Sequence, residues 1–203
     1  ELSGNLCRCT GYRPILDAAQ QMARLPRQPV DEAAILRQLD AVAQQRAPVS
    51  AAGTYLDPRS LPELLALRAA HPDAQVVAGC TDVGLWVTKM HMQFPRVLDV
   101  TRVDELRRAE RYENHMAIGA AVTLTEAFAA LVEERPQLKA FAARFAGLPV
   151  RNSGTLGGNI ANGSPIGGTP PALMALGATL ALQPGEGIRT LPLEDFFLAY
   201  GEV

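Results

Sequence analysis

The sequence predicts a mixed helix-and-strand fold in two parts, joined by a proline-containing linker. Three observations carry this. The chain has 203 residues, 48% hydrophobic and 20% charged, the composition of a globular protein with room for one or two domains. Pro26, Pro29 and Pro48 fall in one segment whose periodic stretch is polar and short. From Ala52 onward, short apolar runs of strand character alternate with helix-period stretches that open on cap signals.

The elements follow in order. A cysteine-containing loop opens the chain, and Pro14–Leu25 reads as a helix with Pro14 in its first turn, where a missing N–H is harmless. The linker, residues 27–50, carries a short polar helix pattern over Asp31–Gln45. Ser60 followed by Glu63 forms a capping-box signal for a helix over Leu61–Ala70. Gln75–Ala78 and Arg96–Val100 read as strands, and Arg111–Gly119 as a polar hairpin. Trp86, with Leu85 and Val87, fits a buried helix face between the two strands. A second capping-box signal, Thr123 with Glu126, opens a helix over Glu126–Glu134, and Gln137–Ala146 reads as the next one. A glycine-rich loop over Arg151–Pro171 leads to a helix over Pro170–Leu176, a strand over Thr179–Leu182 and a further start at Leu193. No internal repeat is visible.

Charge and cysteine usage narrow the function classes. A formal net charge of −2 offers none of the basic surface that nucleic-acid binders need. No apolar run is long enough to span a bilayer, and no signal-peptide pattern is present. Three cysteines, two of them in a tight C-x-C, do not make a secreted disulfide framework, so a reducing cytoplasm is expected. Glu1 rather than Met at the start reads as a piece of a longer chain or a processed product.

Three segments could carry chemistry. In Cys7-Arg8-Cys9-Thr10-Gly11-Tyr12 the two thiols lie on one side of an extended backbone and can converge on one metal, with Arg8 and Arg13 favouring thiolates. A tetrahedral metal or cluster wants four ligands, so this is either half a site or a pair of incidental thiols. Val76 to Val83 form a strand–turn–helix unit in which Gly79, Gly84 and the Thr81 hydroxyl suit a phosphate. Asp99 stands 20 positions after Gly79, but the G-x-G-x-x-G spacing of a dinucleotide fingerprint is missing; an ordinary αβ turn fits equally. The third segment, from Arg151 to Pro171, sets Gly154, Gly157, Gly158, Gly163, Gly167 and Gly168 among Asn, Ser and Thr just before a helix. Glycines permit positive φ and close backbone approach to a ligand, and the helix start favours an anion. Two phosphate-suited loops in one domain fit a dinucleotide with a pyrophosphate better than a mononucleotide. His71, His91 and His115 have no ligand-spaced partners, and no nucleophile–base pair is visible.

In this order the three segments resemble the xanthine dehydrogenase family of molybdenum hydroxylases. The run Cys7 to Ile15 resembles the end of its helical [2Fe–2S] domain. Gly79-Cys80-Thr81-Asp82 and Gly154-Thr155-Leu156-Gly157-Gly158-Asn159-Ile160 resemble the two flavin-binding loops of its FAD domain. The resemblance implies an α+β protein. Residues 1–26 would be the C-terminal part of the iron–sulfur domain, 27–50 the linker, and 51–203 a truncated, two-lobed FAD domain of the vanillyl-alcohol-oxidase type, unrelated to Rossmann. It implies that Cys7 and Cys9 ligate a [2Fe–2S] cluster with two upstream cysteines. It implies that Val76, Val77, Ala78, Gly79, Cys80, Thr81, Asp82 and Val83 wrap the FAD pyrophosphate. Thr155, Asn159 and the amides of Gly157 and Gly158 would complete the cradle, with Phe145 beside the flavin ring. One departure stands out: Gly168 occupies the place of the family's aspartate in S-P-I-x-D.

As a whole, the resemblance implies an electron-transfer subunit of a xanthine dehydrogenase. Its partner would be a large subunit bearing the molybdenum cofactor, assembled as a dimer of heterodimers. Electrons from the oxidation of hypoxanthine or xanthine to urate would pass through [2Fe–2S] clusters to FAD and then to NAD+. An aldehyde- or carbon-monoxide-oxidising relative would share these loops, and a non-catalytic nucleotide- or zinc-binding module is the reading from another class.

Overall fold

Short strand signals flanked by cap residues become, in a computed structural model, small sheets among helices, three of them within the described residues. The structure describes residues 2, 11–44, 54–185 and 187–198. The chain divides into two units, Glu1–Ala51 and Ala52–Val203.

In the first unit the two described helices are α1 (Arg13–Met22) and α2 (Glu32–Gln44). Pro14 occupies the first turn of α1, as its missing N–H requires. Asp31 caps α2 by accepting from the Ala34 amide at 2.8 Å. Cys7 and Cys9 lie outside the described residues.

The second unit opens with a parallel sheet in the order β1 (Tyr55–Leu56), β3 (Val97–Asp99), β2 (Gln75–Val77). Parallel pairing demands crossovers, supplied by α3 (Leu61–Ala70) between β1 and β2 and α4 (Val83–Met90) between β2 and β3. Ser60 caps α3, its hydroxyl accepting from the Glu63 amide, while the Glu63 carboxylate turns back to the Arg59 amide rather than to Ser60. Leu98 on the central strand is fully buried against Leu56 and Ala74. The helix face expected at Leu85–Val87 is not buried: Leu85 is 51% and Val87 46% exposed, with Trp86 intermediate. Helical periodicity locates a face but not what covers it.

A hairpin of β4 (Ala109–Arg111) and β5 (Met116–Ile118) follows. Next comes α5 (Leu124–Glu134), opened by a complete capping box in which the Thr123 side chain accepts from Glu126 and Glu126 reaches back to the Thr123 amide. The single helix expected over Gln137–Ala146 is a 3₁₀ turn at Pro136–Leu138 running into α6 (Lys139–Arg144).

The expected glycine-rich loop contains two short helices, α7 (Leu148–Ser153) and α8 (Leu156–Ala161), before α9 (Thr169–Ala175). Helix propensity misled here because these glycines are retained by backbone packing against neighbours, which outweighs their entropic penalty. The chain continues through an antiparallel pair, β6 (Thr179–Leu182) and β7 (Arg189–Pro192), to a 3₁₀ turn at Leu193–Phe196. Leu124, Phe128, Leu156, Ile160, Leu173 and Leu193 form the core beneath these helices. Each such buried side chain contributes roughly 2 kcal/mol of transfer free energy. No described helix is long and apolar enough to cross a membrane.

Candidate functional site

The turn that follows β2 runs directly against the end of α7. A Cβ on Gly79 would stand 1.7 Å from the Ser153 carbonyl oxygen and 2.8 Å from the Gly154 Cα. Only a bare backbone lets the two segments touch. A Cβ on Gly157 would likewise stand 2.7 Å from the Cα and the carbonyl oxygen of Ala120. These glycines therefore serve backbone-on-backbone packing, where the sequence suggested approach to a ligand. The left-handed residue of the first segment is Cys80, with φ 56°, and within the second it is Gly163, with φ 58°.

Beside this contact, residues 120–124 lie along residues 154–157 like a short antiparallel pair. Leu124 N–H donates to Gly154 O at 2.8 Å, Leu156 N–H to Val122 O at 3.0 Å and Gly157 N–H to Ala120 O at 3.0 Å. Thr155 is 4% exposed and caps α8, its hydroxyl accepting from the Gly158 amide at 3.1 Å. The amides of Gly157 and Gly158, expected to face a phosphate, are thus already engaged. Gly84, expected to free its amide, donates it to Cys80 O at 2.9 Å inside α4.

The free donors lie one turn earlier. Among the described residues, the N–H groups of Gly79, Cys80, Thr81 and Asp82 donate no hydrogen bond. They are consecutive, include a left-handed residue and precede α4, so they offer a run of free donors at the positive end of a helix. That arrangement suits an anionic oxygen cluster such as a pyrophosphate. Asp82 contributes its amide: its carboxylate caps nothing and is exposed.

These donors open into a cleft of about 1760 Å³. It is lined by every residue from Val76 to Val83 and by Phe145, Thr155, Gly157, Gly158 and Asn159. The Asn159 carboxamide oxygen accepts from the hydroxyl of Thr169, which is 1% exposed. That bond turns the amide so that its NH₂ is the group left to donate. Phe145 packs edge-on to Phe128, ring centroids 5.1 Å apart. The cleft is lined as well by the β4–β5 hairpin, through Glu110, His115 and Met116, and by β6 and Phe196. Nothing in the sequence marked that lining, because a polar hairpin reads as solvated surface; His115 itself stacks on Tyr112 at 4.7 Å.

Gly168, where the resemblance leads one to expect an aspartate, lies against the Phe145 ring: an added Cβ would be 3.0 Å from Phe145 Cε2. Asp99 is occupied elsewhere, accepting from the Tyr55 hydroxyl and from the Thr101 amide at 2.8 Å. Tyr55 is pushed up to about 12, chiefly by burial and then by Asp99. Burial, followed by the Asp99 charge, also raises the Cys80 thiol above its ordinary value. The described residues contain no group of three His, Cys, Asp or Glu able to hold a metal.

A helix-start donor run after a parallel strand, opening into a cleft, suits a phosphate-bearing ligand. The family of the chain is more specific. Residues 48–203 match the FAD binding domain in molybdopterin dehydrogenase, and the chain belongs to that family. It is 30% identical to xanthine dehydrogenase 2 of Arabidopsis thaliana, over all of this chain and 20% of that protein. It is 35% identical to xanthine dehydrogenase of Drosophila subobscura, over 87% of this chain and 17% of that one. Among solved structures it is similar to quinoline 2-oxidoreductase from Pseudomonas putida 86, with 28% identity and a TM-score of 0.66 over 73% of this chain and 55% of that one. Carbon monoxide dehydrogenase from Hydrogenophaga pseudoflava is similar too, with 31% identity and a TM-score of 0.65 over 71% and 51% of the two chains. The chain spans about a fifth of the length of the xanthine dehydrogenases it matches and about half of these solved chains. It is an FAD-binding component of the molybdenum hydroxylase family.

Proposed function

We propose that this chain is the flavin-binding part of the electron-transfer subunit of a xanthine dehydrogenase. The observation that carries the reading is the run of unengaged amides through Gly79, Cys80, Thr81 and Asp82, opening into the cleft that Thr155 and Asn159 also line. Those groups fit FAD: a pyrophosphate against the amides, the Asn159 NH₂ as a further donor, and the Phe145 ring as an aromatic wall for the flavin. Val76 to Val83 would hold the pyrophosphate by backbone alone, so the segment tolerates varied side chains. The hydrogen bond from Thr169 keeps Asn159 in its donating orientation. Gly157 and Gly158 act one step back, by fastening α8 to Ala120 and Thr155.

When bound, FAD supplies the redox chemistry, taking up electrons released at a molybdenum centre on a partner subunit during xanthine oxidation and delivering them to NAD+. Residues 51–203 would then form the two-lobed flavin domain, 27–50 the linker and 1–26 the end of a [2Fe–2S] domain with Cys7 and Cys9 as ligands. The assembly would be a cytoplasmic dimer of heterodimers with the molybdenum-bearing subunit. Similarity to carbon monoxide dehydrogenase supports a second reading, in which the same flavin component serves another oxidised substrate.

The visible spectrum of the full-length protein tests the proposal. Flavin bands with iron–sulfur absorption are expected, and a colourless preparation that takes up no added FAD would overturn it. Bleaching of the flavin by xanthine in the complex, and not by aldehydes or carbon monoxide, separates the two readings.

A further inference from the structure

We infer that Arg151 is a positioning residue for Phe145, and through it for the aromatic wall of the cleft. Arg151 does not line the cleft; Phe145 and Ala146 do. From α7 its guanidinium reaches back across the connection from α6. One nitrogen, Nη1, donates to Phe145 O at 2.7 Å and to Ala146 O at 2.9 Å. Two carbonyl oxygens converging on one point repel each other unless a cation lies between them. Here the cation is part of the chain.

The turn needs that restraint. Ala146 has φ 46°, a left-handed conformation that L side chains rarely adopt, and it carries a Cβ. A strained residue persists only where its surroundings over-determine it. Gly147 O accepts from the amides of Val150 and Arg151, both at 3.1 Å, so the far side of the turn is tied to the start of α7. Arg151 ties the near side. With the backbone held, the Phe145 ring has a single place to stand. It completes a triangle with Phe128 and Phe141, whose centroids are 5.1 and 5.9 Å from it and 5.7 Å from each other, and it stands against the bare Cα of Gly168. In this chain a clamped ring thus occupies the space beside the position where a carboxylate would have been expected.

The inference rests on the flavin reading above, and the experiment separates the two. Full-length protein is prepared as wild type, Arg151→Met, Phe145→Leu, Ala146→Gly and the pair Arg151→Met with Ala146→Gly. FAD affinity, flavin absorption and fluorescence, and the melting temperature of the apoprotein are measured. Arg151→Met is expected to weaken FAD binding about tenfold, the equivalent of one charge-assisted hydrogen bond. It is also expected to shift the flavin spectrum as Phe145→Leu does. Adding Ala146→Gly, which removes the left-handed strain, is expected to bring the spectrum back to wild type. A flavin spectrum in Arg151→Met identical to wild type overturns the inference. So does a lowered melting temperature without a spectral change. If Arg151→Met does not fold, the paired variant decides, and an altered flavin spectrum in it counts against the turn as the route. Wild-type protein that takes up no FAD sinks the flavin reading instead.

Discussion

Replacing Gly79 with alanine tests the site at its tightest point. The new Cβ would lie 1.7 Å from Ser153 O and 2.3 Å from Ser153 C, where ordinary contact begins at 3.4 Å. Both obstructing atoms are backbone, so no rotamer change relieves the clash. The turn after β2 and the end of α7 must part by about 1.7 Å, the difference between those separations. That motion pulls on Gly154, whose carbonyl accepts from Leu124 N at the start of α5. Overpacking with the loss of one backbone hydrogen bond amounts to roughly 3 kcal/mol. For a domain of this size that is a drop in melting temperature of about 6–12 °C.

The matching control is Gly84→Ala, one turn along on α4, where a Cβ meets nothing within 4 Å. At this unstrained position in the first turn of α4 that change is expected to stabilise by about 0.4–1 kcal/mol, through a less flexible unfolded chain. The assay is thermal unfolding by circular dichroism, with the flavin-to-protein ratio read from the same samples. Gly79→Ala should melt early and lose flavin, and Gly84→Ala should do neither. Two variants that melt together, or a Gly79→Ala protein with full flavin, would refute the argument that these loops need a bare backbone to meet.

Two further outcomes are expected. Asn159→Asp keeps an oxygen for the Thr169 hydroxyl but exchanges the donating NH₂ for a negative charge beside the proposed pyrophosphate. Flavin content should fall about tenfold or more, as for loss of a hydrogen bond to a charged group, and an unchanged absorbance ratio would count against the cradle. Tyr55 should ionise near pH 12 rather than 10.0, held back by burial and by Asp99. Its folded value lies above its unfolded one, so the neutral phenol contributes stability that is complete below about pH 10 and lost between about pH 10 and 12. Phenolate absorbance, taken as the difference from Tyr55→Phe, should show that late step, and Asp99→Asn should move it earlier. A Tyr55 step at the ordinary value of 10.0 would refute the assignment.

The donor run shows why a glycine-rich stretch is an incomplete guide to a phosphate site. The segment richest in glycine spends its Gly157 and Gly158 amides on Ala120 and Thr155. The unengaged amides belong to Gly79-Cys80-Thr81-Asp82, where the left-handed residue carries a side chain. The glycines make the site possible at one remove, by letting one backbone rest on another.

Local chemistry was legible in the chain itself. Ser60 and Thr123 announce their helices because a cap is a contact between residues three apart. The strands β2 and β3 and the flavin-family strings around Gly79 and Gly154 are likewise written in adjacent residues. What tertiary structure alone decided are the contacts between distant segments. The 1.7 Å approach of Gly79 to Ser153, the exposure of Leu85 and Val87, the hairpin wall at His115 and the Arg151 clamp all depend on which surfaces meet. A sequence records each residue's own preferences, while burial and hydrogen-bond occupancy belong to pairs that only the folded chain brings together.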